Sequence, residues 1–383
     1  MILDYKILEG NCLTKLKEIP DNSIQMCVTS PPYFNLRDYG TGHWEGGDPN
    51  CEHKGKLIAS NHNFNYADGR GSNGEITSNV CEKCGAIKVD EQIGLEETPE
   101  QFVDKLVQVF HEVKRVLKED GTLWINIGDS YCNSNGFERS DSEWKRKGRA
   151  DAKANDRNLT SLHNAGLKTK DLIGIPWMLA FALRADGWYL RQDIIWHKTN
   201  PMPESVKDRC TKSHEYIFLL SKSPNYYFNF DAIQEDATEE VSVGIKFGGN
   251  KYGNGGEQFP NKQAGIYSGN EYVSNGRKRK RDVWSVPVSS SKDNHFATYP
   301  KKLIEPCILA GSREGDTVLD PFNGSGTTGI VAMQWGRKYI GCELNPEYIA
   351  ITESRFEKEL QGAVYINNNG TTVIAKREGL WDD

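Results

Sequence analysis

The tetrapeptide Ser30-Pro31-Pro32-Tyr33 has residue types that suit the handling of a planar amine. The Ser30 hydroxyl oxygen and the Pro31 carbonyl are hydrogen-bond acceptors held by stiff prolines, so together they can accept both hydrogens of one –NH₂ group. Tyr33 offers a ring face on which a heterocycle can stack. Accepting both hydrogens frees the nitrogen lone pair to attack an electrophile. The segment therefore predicts alkylation of an amine, with a plain Pro-Pro turn after a strand as the alternative.

A second segment combines an acid with closely spaced glycines. Residues 324–329 match the pattern Gly-x-Gly-x-x-Gly, and Glu343 stands near the position of a ribose-binding acid. Glycines let a ligand approach the backbone, and the acid can accept both ribose hydroxyl hydrogens. About 40 residues follow Glu343, too few for the second half of a dinucleotide site. The pattern predicts an adenosyl ligand, and a tight turn without a ligand is the alternative.

Cysteines and a histidine form a third candidate site. Cys81 and Cys84 form a Cys-x₂-Cys-Gly knuckle, and Cys51 and His53 precede it, with 27 residues between His53 and Cys81. Zinc prefers four thiolate or imidazole ligands in a tetrahedron, and we predict a structural zinc site with these four ligands. Cys-x-His is an unusual first pair, so substitution by His43 or His62 and two free thiols in a loop remain alternatives. The paired pattern of a zinc deaminase is absent.

The elements that would position these residues alternate between strands and helices. Residues 23–29 are a β-prone run that the double proline must end, which places Ser30 at a strand's carboxyl end, where ligands bind in open α/β sheets. A cap at Thr98 opens a helix that stops at Asp120-Gly121, and a buried strand follows over 122–127. Further predictions are a helix over 172–185, strands over 188–196, 216–220, 316–320 and 338–343, and a helix over 327–335. This pattern predicts an α/β fold.

The composition limits the possible partners and location. The net charge of −6 gives no overall attraction to a polyanion, so a nucleic-acid surface must be a local patch. Residues 277–281 are five basic residues in a row, for which a solvated loop is the plainer interpretation. No run of about 20 apolar residues and no export signal occurs, so we expect a cytoplasmic protein whose nine cysteines are thiols or metal ligands.

Two motifs in this order resemble a known family. Residues 29–33 (Thr-Ser-Pro-Pro-Tyr) and 320–326 (Asp-Pro-Phe-Asn-Gly-Ser-Gly) are similar to the catalytic and cofactor motifs of the amino-group DNA methyltransferases of the restriction-modification type. The catalytic motif comes first, as in the circularly permuted β group. The resemblance covers roughly residues 1–40, 95–235 and 282–360. It implies a Rossmann-like, mostly parallel methyltransferase fold, S-adenosylmethionine as the cofactor and double-stranded DNA as the partner.

The resemblance also assigns roles to residues. The catalytic residues would be Ser30, Pro31, Pro32 and Tyr33. Asn11, where the family usually has Asp, would stand near the cofactor's adenine. The cofactor-binding residues would be Asn11, Cys12, Thr29, Phe296, Ala297, Thr298, Asp320, Phe322, Gly324, Ser325, Gly326 and Glu343. DNA would be contacted by Trp196, Lys198, Arg277, Lys278, Arg279, Lys280 and Arg281.

The resemblance further divides the chain and leaves the target base open. Residues 1–40 and 95–203 would form the catalytic part, 41–94 an inserted zinc-binding loop, 204–292 the target-recognition region, 293–360 the cofactor-binding part and 361–383 a tail. In this family Ser at the first motif position tends to accompany N4-cytosine methylation, which we favour over N6-adenine. RNA, a protein glutamine, or DNA binding without turnover are further alternatives, and the existence of a cognate restriction endonuclease stays open.

Overall fold

The computed structural model describes residues 2–34, 41–65, 71–132, 165–236, 277–288, 299–360, 364–366 and 372–374. The strands are β1 (Ile2–Glu9), β2 (Ile24–Thr29), β3 (His43–Glu45), β4 (Gly55–Asn65), β5 (Gly71–Cys81), β6 (Ile87–Val89), β7 (Leu117–Ile127), β8 (Tyr189–His197), β9 (His214–Ser221), β10 (Glu235–Asp236), β11 (Arg277–Lys278), β12 (Val283–Ser285), β13 (Thr317–Asp320), β14 (Lys338–Glu343), β15 (Val364–Ile366) and β16 (Thr372–Ile374). The α-helices are α1 (Cys12–Lys15), α2 (Pro99–Val116), α3 (Ile175–Ala185), α4 (Lys301–Gly311), α5 (Thr327–Gln334) and α6 (Pro346–Glu359). Two short 3₁₀ helices span Leu16–Glu18 and Asp231–Ile233.

A ten-stranded sheet with the order β12-β8-β9-β7-β2-β13-β14-β1-β15-β16 forms the centre of the fold. The run β7-β2-β13-β14-β1-β15 is parallel throughout, whereas β9 is antiparallel to both of its neighbours and β16 to β15. The prediction of a mostly parallel α/β fold is therefore confirmed. Because β2 and β13 are parallel neighbours, their carboxyl ends meet at the same edge of the sheet.

Helices cover both faces of this sheet and bury two apolar cores. On one face, α2 and α3 pack with fully buried side chains such as Phe102, Leu106 and Leu179. On the other, α4, α5 and α6 contribute a second cluster that includes Ile304 and Phe356. Burying apolar area at about 25 cal/mol per Å² is the main favourable term that holds such layers together.

The predicted cap at Thr98 is confirmed, but two predicted helix boundaries, the end of α2 and the start of α3, are wrong. The Thr98 hydroxyl accepts a hydrogen bond from the Gln101 backbone N–H at 3.3 Å, which caps α2. The helix ends at Val116 rather than near Gly121, because buried Leu117 already pairs with Ile24 of β2. Helix α3 begins at 175 instead of 172, because the carboxylate of Asp129 accepts hydrogen bonds from the first free N–H groups, at 3.0 to 3.1 Å.

A small separate sheet with the order β3-β6-β5-β4 lies between β2 and α2 in the chain. After β6 the chain returns to the main body, where Gln92 and Ile93 are buried. The side chain of Thr41 donates to Asp90 at 2.8 Å, which ties the two ends of this insertion together. Among the helices of the described residues, none is long and apolar enough to cross a membrane.

Candidate active site

The catalytic and cofactor motifs face one cavity of about 280 Å³ at the carboxyl ends of β2, β13 and β14. It brings together thirteen of the predicted site residues: Asn11, Cys12, Ser30, Pro31, Pro32, Tyr33, Trp196, Lys198, Asp320, Phe322, Gly324, Ser325 and Glu343. Thr29 and Gly326 lie next to this lining without being part of it, and Phe296, Ala297 and Thr298 lie outside the described residues. The size is that of a small-molecule site.

Asp320 joins the two motifs through a buried hydrogen-bond network. Its carboxylate accepts from the hydroxyl of Thr29 at 2.6 Å, from Thr328 at 2.5 Å and from Tyr299 at 3.3 Å. It also accepts from the Phe322 backbone N–H at 3.0 Å. Burial raises the pKa of Asp320, and these hydrogen bonds oppose that shift. The network fixes the turn after β13 against the end of β2.

Glu343 ends β14 with its carboxylate turned to the glycine-rich turn. One oxygen accepts from the Gly324 backbone N–H at 2.8 Å and the other from the Asn345 N–H at 2.9 Å. Each oxygen keeps a second lone pair for a ligand hydroxyl. Burial is the largest influence on this group and raises the pKa of Glu343 to about 7. The geometry suits the recognition of a vicinal diol such as ribose.

The turn between β13 and α5 requires glycine at its last position. Gly326 has a φ of +76°, and a Cβ there would lie 2.6 Å from Thr352 Cγ2 and 2.9 Å from Phe356 Cε1. An L side chain would therefore be strained and would collide with α6. Glycine at this position therefore lets the turn pack closely against α6.

Tyr33 belongs to a second network, which centres on Glu215. The Tyr33 hydroxyl donates to Glu215 Oε2 at 2.7 Å, and the Asn126 side-chain amide donates to the same oxygen at 3.2 Å. Lys198 Nζ forms an ion pair with the other oxygen. Burial raises the pKa of Tyr33 well above its usual value, and the Glu215 carboxylate adds to the shift. The phenol therefore stays protonated and available as a donor.

Glu215 and Asn126 lie in this site although the sequence analysis assigned them no chemical role. Glu215 is the second residue of the otherwise largely apolar strand β9, and its exposed fraction is 8 %. Asn126 interrupts the apolar run of β7 and is 4 % exposed. The available signal was a polar residue inside a strand that is otherwise apolar, because such residues are rarely buried without a partner.

The comparisons with known proteins agree with this geometry. The DNA methylase family (N6_N4_Mtase) matches residues 24–354. Type II methyltransferase M.Cfr9I of Citrobacter freundii is 41% identical over 354 residues, which are 92% of this chain and 88% of that protein. Type II methyltransferase M.SmaI of Serratia marcescens is 37% identical over 350 residues, 91% of this chain and 90% of that protein. The chain belongs to the N6/N4 DNA methylase family. It is an S-adenosylmethionine-dependent DNA methyltransferase of the type II class.

A solved structure shows the same fold for this methyltransferase. The PvuII DNA methyltransferase, whose name gives it as cytosine-N4-specific, matches with a TM-score of 0.51 and 18% identity. The match covers 93% of this chain and 87% of that one. At this identity the similarity supports the fold class alone.

Trp196 near the end of β8, and Lys198 directly after this strand, line the methyltransferase cavity. Trp196 is 4 % exposed, and its indole N–H donates to the Val286 carbonyl at 2.8 Å. The Lys198 ammonium lies 4.7 Å from the centroid of the Trp196 ring. Stacking of a target base on Trp196 or Tyr33 stays a prediction.

The basic run of residues 277–281 lies apart from the cavity lining, just before β12. Arg281 pairs with Glu235 at 3.0 Å, Arg279 lies over the Phe230 ring and Lys280 over the Trp284 ring. Strand β12 pairs with β8 over residues 283–285, and Val288, three residues after its end, lines the cavity. The run is therefore connected to the site by one short strand, and its contact with DNA stays a prediction.

The predicted zinc ligands come together in the insertion of the methyltransferase. One ligand atom from each of Cys51, His53, Cys81 and Cys84 lies within 4.8 Å of the others. Cys51 Sγ and Cys81 Sγ are 3.9 Å apart, and Cys84 Sγ is 3.2 Å from His53 Nδ1. Desolvation raises the pKa of Cys81, but hydrogen bonds from the Cys84 backbone N–H and from His53 outweigh it and bring the pKa to about 5. A thiolate is the form that binds a metal.

Proposed function

We propose that this methyltransferase modifies the exocyclic N4 amine of a cytosine that is flipped out of duplex DNA. The observation that carries the proposal is the position of Ser30, a neutral acceptor that faces the same cavity as Asp320 and Glu343. S-adenosylmethionine supplies an electrophilic methyl group on a sulfonium. A base inside the duplex cannot reach such a cavity, so it must leave the stack at a cost of a few kcal/mol.

In this proposal one set of residues activates the target amine and another binds the cofactor. The Ser30 hydroxyl oxygen and the Pro31 carbonyl accept the two amine hydrogens, and the Tyr33 ring supports the base face. Glu343 and the backbone of the turn around Gly324 fit the ribose end of the cofactor. The carboxylate can accept hydrogen bonds from the ribose hydroxyls, and the glycine lets the ligand approach the backbone closely. These residues bind and orient, and they need no strong general base to activate the amine.

The choice of cytosine over adenine rests on Ser30. In the family to which the chain belongs, Ser at the first motif position tends to accompany N4-cytosine methylation, and Asp or Asn the N6-adenine reaction. The PvuII DNA methyltransferase, which has the same fold, is named as cytosine-N4-specific, and this supports the choice. A neutral hydroxyl can also accept from the adenine amine, so N6-adenine methylation is the second candidate.

The deciding experiment is nucleoside mass spectrometry on mixed-sequence duplex DNA after incubation with the protein and S-adenosylmethionine. N4-methylcytosine is the expected product. N6-methyladenine would keep the chemistry of the site and overturn the assignment of the base. Methylated RNA or protein in place of DNA would overturn the substrate class. Reactions without protein and with Ser30→Ala serve as controls.

The pKa of Glu343 predicts how cofactor binding depends on pH. Ribose hydroxyls donate to the ionised carboxylate, and burial raises the pKa of this group to about 7. The affinity for S-adenosylmethionine should therefore rise as the pH increases through 7, and below that pH it should fall about tenfold per unit. Titration calorimetry at pH 6, 7 and 8 measures the effect. Glu343→Gln is the control, because this variant keeps any pH dependence of the affinity that comes from the cofactor's own groups. If the affinities of both proteins depended on pH in the same way, the role of Glu343 in binding ribose would be contradicted.

We also propose that Cys51, His53, Cys81 and Cys84 hold a structural zinc ion. Four thiolate and imidazole ligands match the composition of closed structural sites. The Cys51–Cys81 and Cys84–His53 separations of 3.9 and 3.2 Å are close to the edges of a tetrahedron with bonds of about 2.0 to 2.3 Å. The insertion that carries them also forms part of the cavity wall through Glu91, Gln92 and Ile93. The metal would therefore stabilise this wall.

Metal analysis tests the zinc site. Wild-type protein should contain about one zinc per chain, and Cys84→Ser should lose it. Cys210→Ser is the matched control, because Cys210 is an exposed thiol outside the cluster. Removing the metal with a chelator should weaken S-adenosylmethionine binding, which calorimetry measures. A folded wild-type protein without bound zinc, or unchanged cofactor affinity after its removal, would contradict these expectations.

The remaining part of the proposal concerns DNA and a partner enzyme. Arg277 to Arg281 would contact phosphates, which makes DNA affinity strongly dependent on salt despite the acidic net charge. The recognition region would extend over residues 204–292. A separately encoded endonuclease that cleaves the same, unmethylated sequence would be the cognate partner.

A further inference from the structure

We propose that Glu215 is the end of a proton relay, Ser30 to Tyr33 to Glu215, which takes up the proton that the target amine must lose. The relay rests on the proposed amine methylation and adds a positioning and proton-accepting role for Glu215. Neither the sequence motifs nor the family match assigns this role.

The hydrogen bonds of the Tyr33 hydroxyl fix the direction of the relay. Its single hydrogen is used for Glu215 Oε2 at 2.7 Å. Ser30 lines the same cavity as Tyr33, and its hydroxyl lowers the pKa of Tyr33 as a hydrogen-bond donor. Since the tyrosine hydrogen is already committed, Tyr33 accepts from Ser30, and the Ser30 hydroxyl is the donor. Its lone pairs are thereby left for the hydrogens of the amine.

The residues around Glu215 stabilise its carboxylate anion close to Tyr33. The Lys198 ammonium and the Asn126 amide bind the carboxylate, and its side chain is one of the few buried acids among the described residues. A Cβ at Gly128 would lie 2.8 Å from Tyr33 Cε2 and 3.2 Å from Glu215 Oε1. The glycine therefore permits the tyrosine and the carboxylate to approach each other beside the end of β7.

The transfer balances in protons and charge. An exocyclic amine that has gained a methyl group carries one positive charge and one proton too many. Its N–H bond breaks as Ser30 Oγ takes this proton, the Ser30 hydroxyl proton moves to Tyr33 Oη, and the Tyr33 proton moves to Glu215 Oε2. The amine and the carboxylate both end neutral, and Ser30 and Tyr33 are unchanged. Glu215 returns the proton to water after the base has left.

Glu215→Gln separates this role from simple positioning. The glutamine carbonyl can still accept from Tyr33 but cannot take up its proton. The single-turnover rate of methyl transfer should fall on the order of 100-fold, while S-adenosylmethionine affinity and thermal unfolding stay near wild type. Glu112→Gln is the control, because Glu112 forms an ion pair with Arg115 on α2, outside the cavity. A Glu215→Gln rate within about threefold of wild type would overturn the relay.

A double-mutant cycle tests whether Glu215 acts through Tyr33. Tyr33→Phe keeps the ring for stacking and breaks the relay, so it should lower the rate by itself. Adding Glu215→Gln to Tyr33→Phe should change the rate by no more than about threefold. Additive losses, or full activity of Tyr33→Phe, would overturn the proposal, and the Tyr33→Phe result decides it if Glu215→Gln does not fold. Absence of amine methylation by the wild-type protein would instead refute the proposed function.

Discussion

Ser30→Ala should lower the rate of methyl transfer on the order of 100- to 1,000-fold, because it removes one of the two acceptors for the target amine. In the proposed relay Ser30 donates to the Tyr33 hydroxyl, so the substitution removes the first step of the relay as well. Cofactor affinity should stay near wild type, since the contacts of Glu343 and the glycine-rich turn do not involve Ser30. Single-turnover assays with saturating DNA and calorimetry with S-adenosylmethionine measure the two quantities separately.

The matched control is Ser223→Ala. Ser223 is a half-buried serine after β9 whose hydroxyl donates to the Asn225 carbonyl at 2.7 Å, away from the cavity lining. Its methyl-transfer rate should equal that of the wild type. If Ser30→Ala lost cofactor binding instead of turnover, Ser30 would belong to the cofactor site and its assignment to the amine would be wrong.

Asp320→Ala should cost about 3 kcal/mol of unfolding free energy, a large share of the stability of an ordinary domain. The substitution leaves three buried hydroxyls and the Phe322 N–H without their acceptor. The raised pKa of Asp320 shows that burial of its charge is unfavourable. Removing the carboxylate also removes this desolvation cost, which offsets part of the loss. Cofactor affinity should fall as well, since the turn at Phe322 is no longer fixed to β2. Denaturant unfolding and calorimetry test these two effects.

Asp4→Ala provides the comparison for Asp320→Ala. Asp4 pairs with Lys338 at 3.6 Å, and both side chains are well exposed. Removing an exposed ion pair of this kind costs about 0 to 1 kcal/mol. If both variants unfolded at the same denaturant concentration as the wild type, the buried network around Asp320 would have no structural importance.

The sequence predicted those parts of the site that a short segment determines. A double proline ends a strand in any context, so the location of Ser30 at a strand end followed from residues 23–33 alone. The strand from 338 to 343 has the predicted bounds, and the helix after Gly326 begins where predicted. The cap at Thr98 is equally local. Helix ends were less well predicted, because α2 stops where Leu117 pairs with another strand.

The predicted zinc ligands illustrate an intermediate case. The Cys-x₂-Cys knuckle is a local signal, but the sequence left His43 and His62 as alternatives for one ligand. Among the described residues, the cluster within 4.8 Å consists of Cys51, His53, Cys81 and Cys84. Pairing of β6 with β3 and β5 positions the loops of this insertion, and strand pairing of this kind is not encoded at a fixed spacing.

The local chemical motifs, their order and the α/β class follow from the sequence alone. Which distant residues complete these motifs depends on the tertiary structure. Thr29 and Asp320 are 291 positions apart and meet because β2 and β13 are neighbours. Tyr33 and Glu215 are 182 positions apart and meet because β9 runs antiparallel beside β7. Such contacts depend on strand order and register, which arise from the packing of the whole chain, so no spacing in the sequence reveals them.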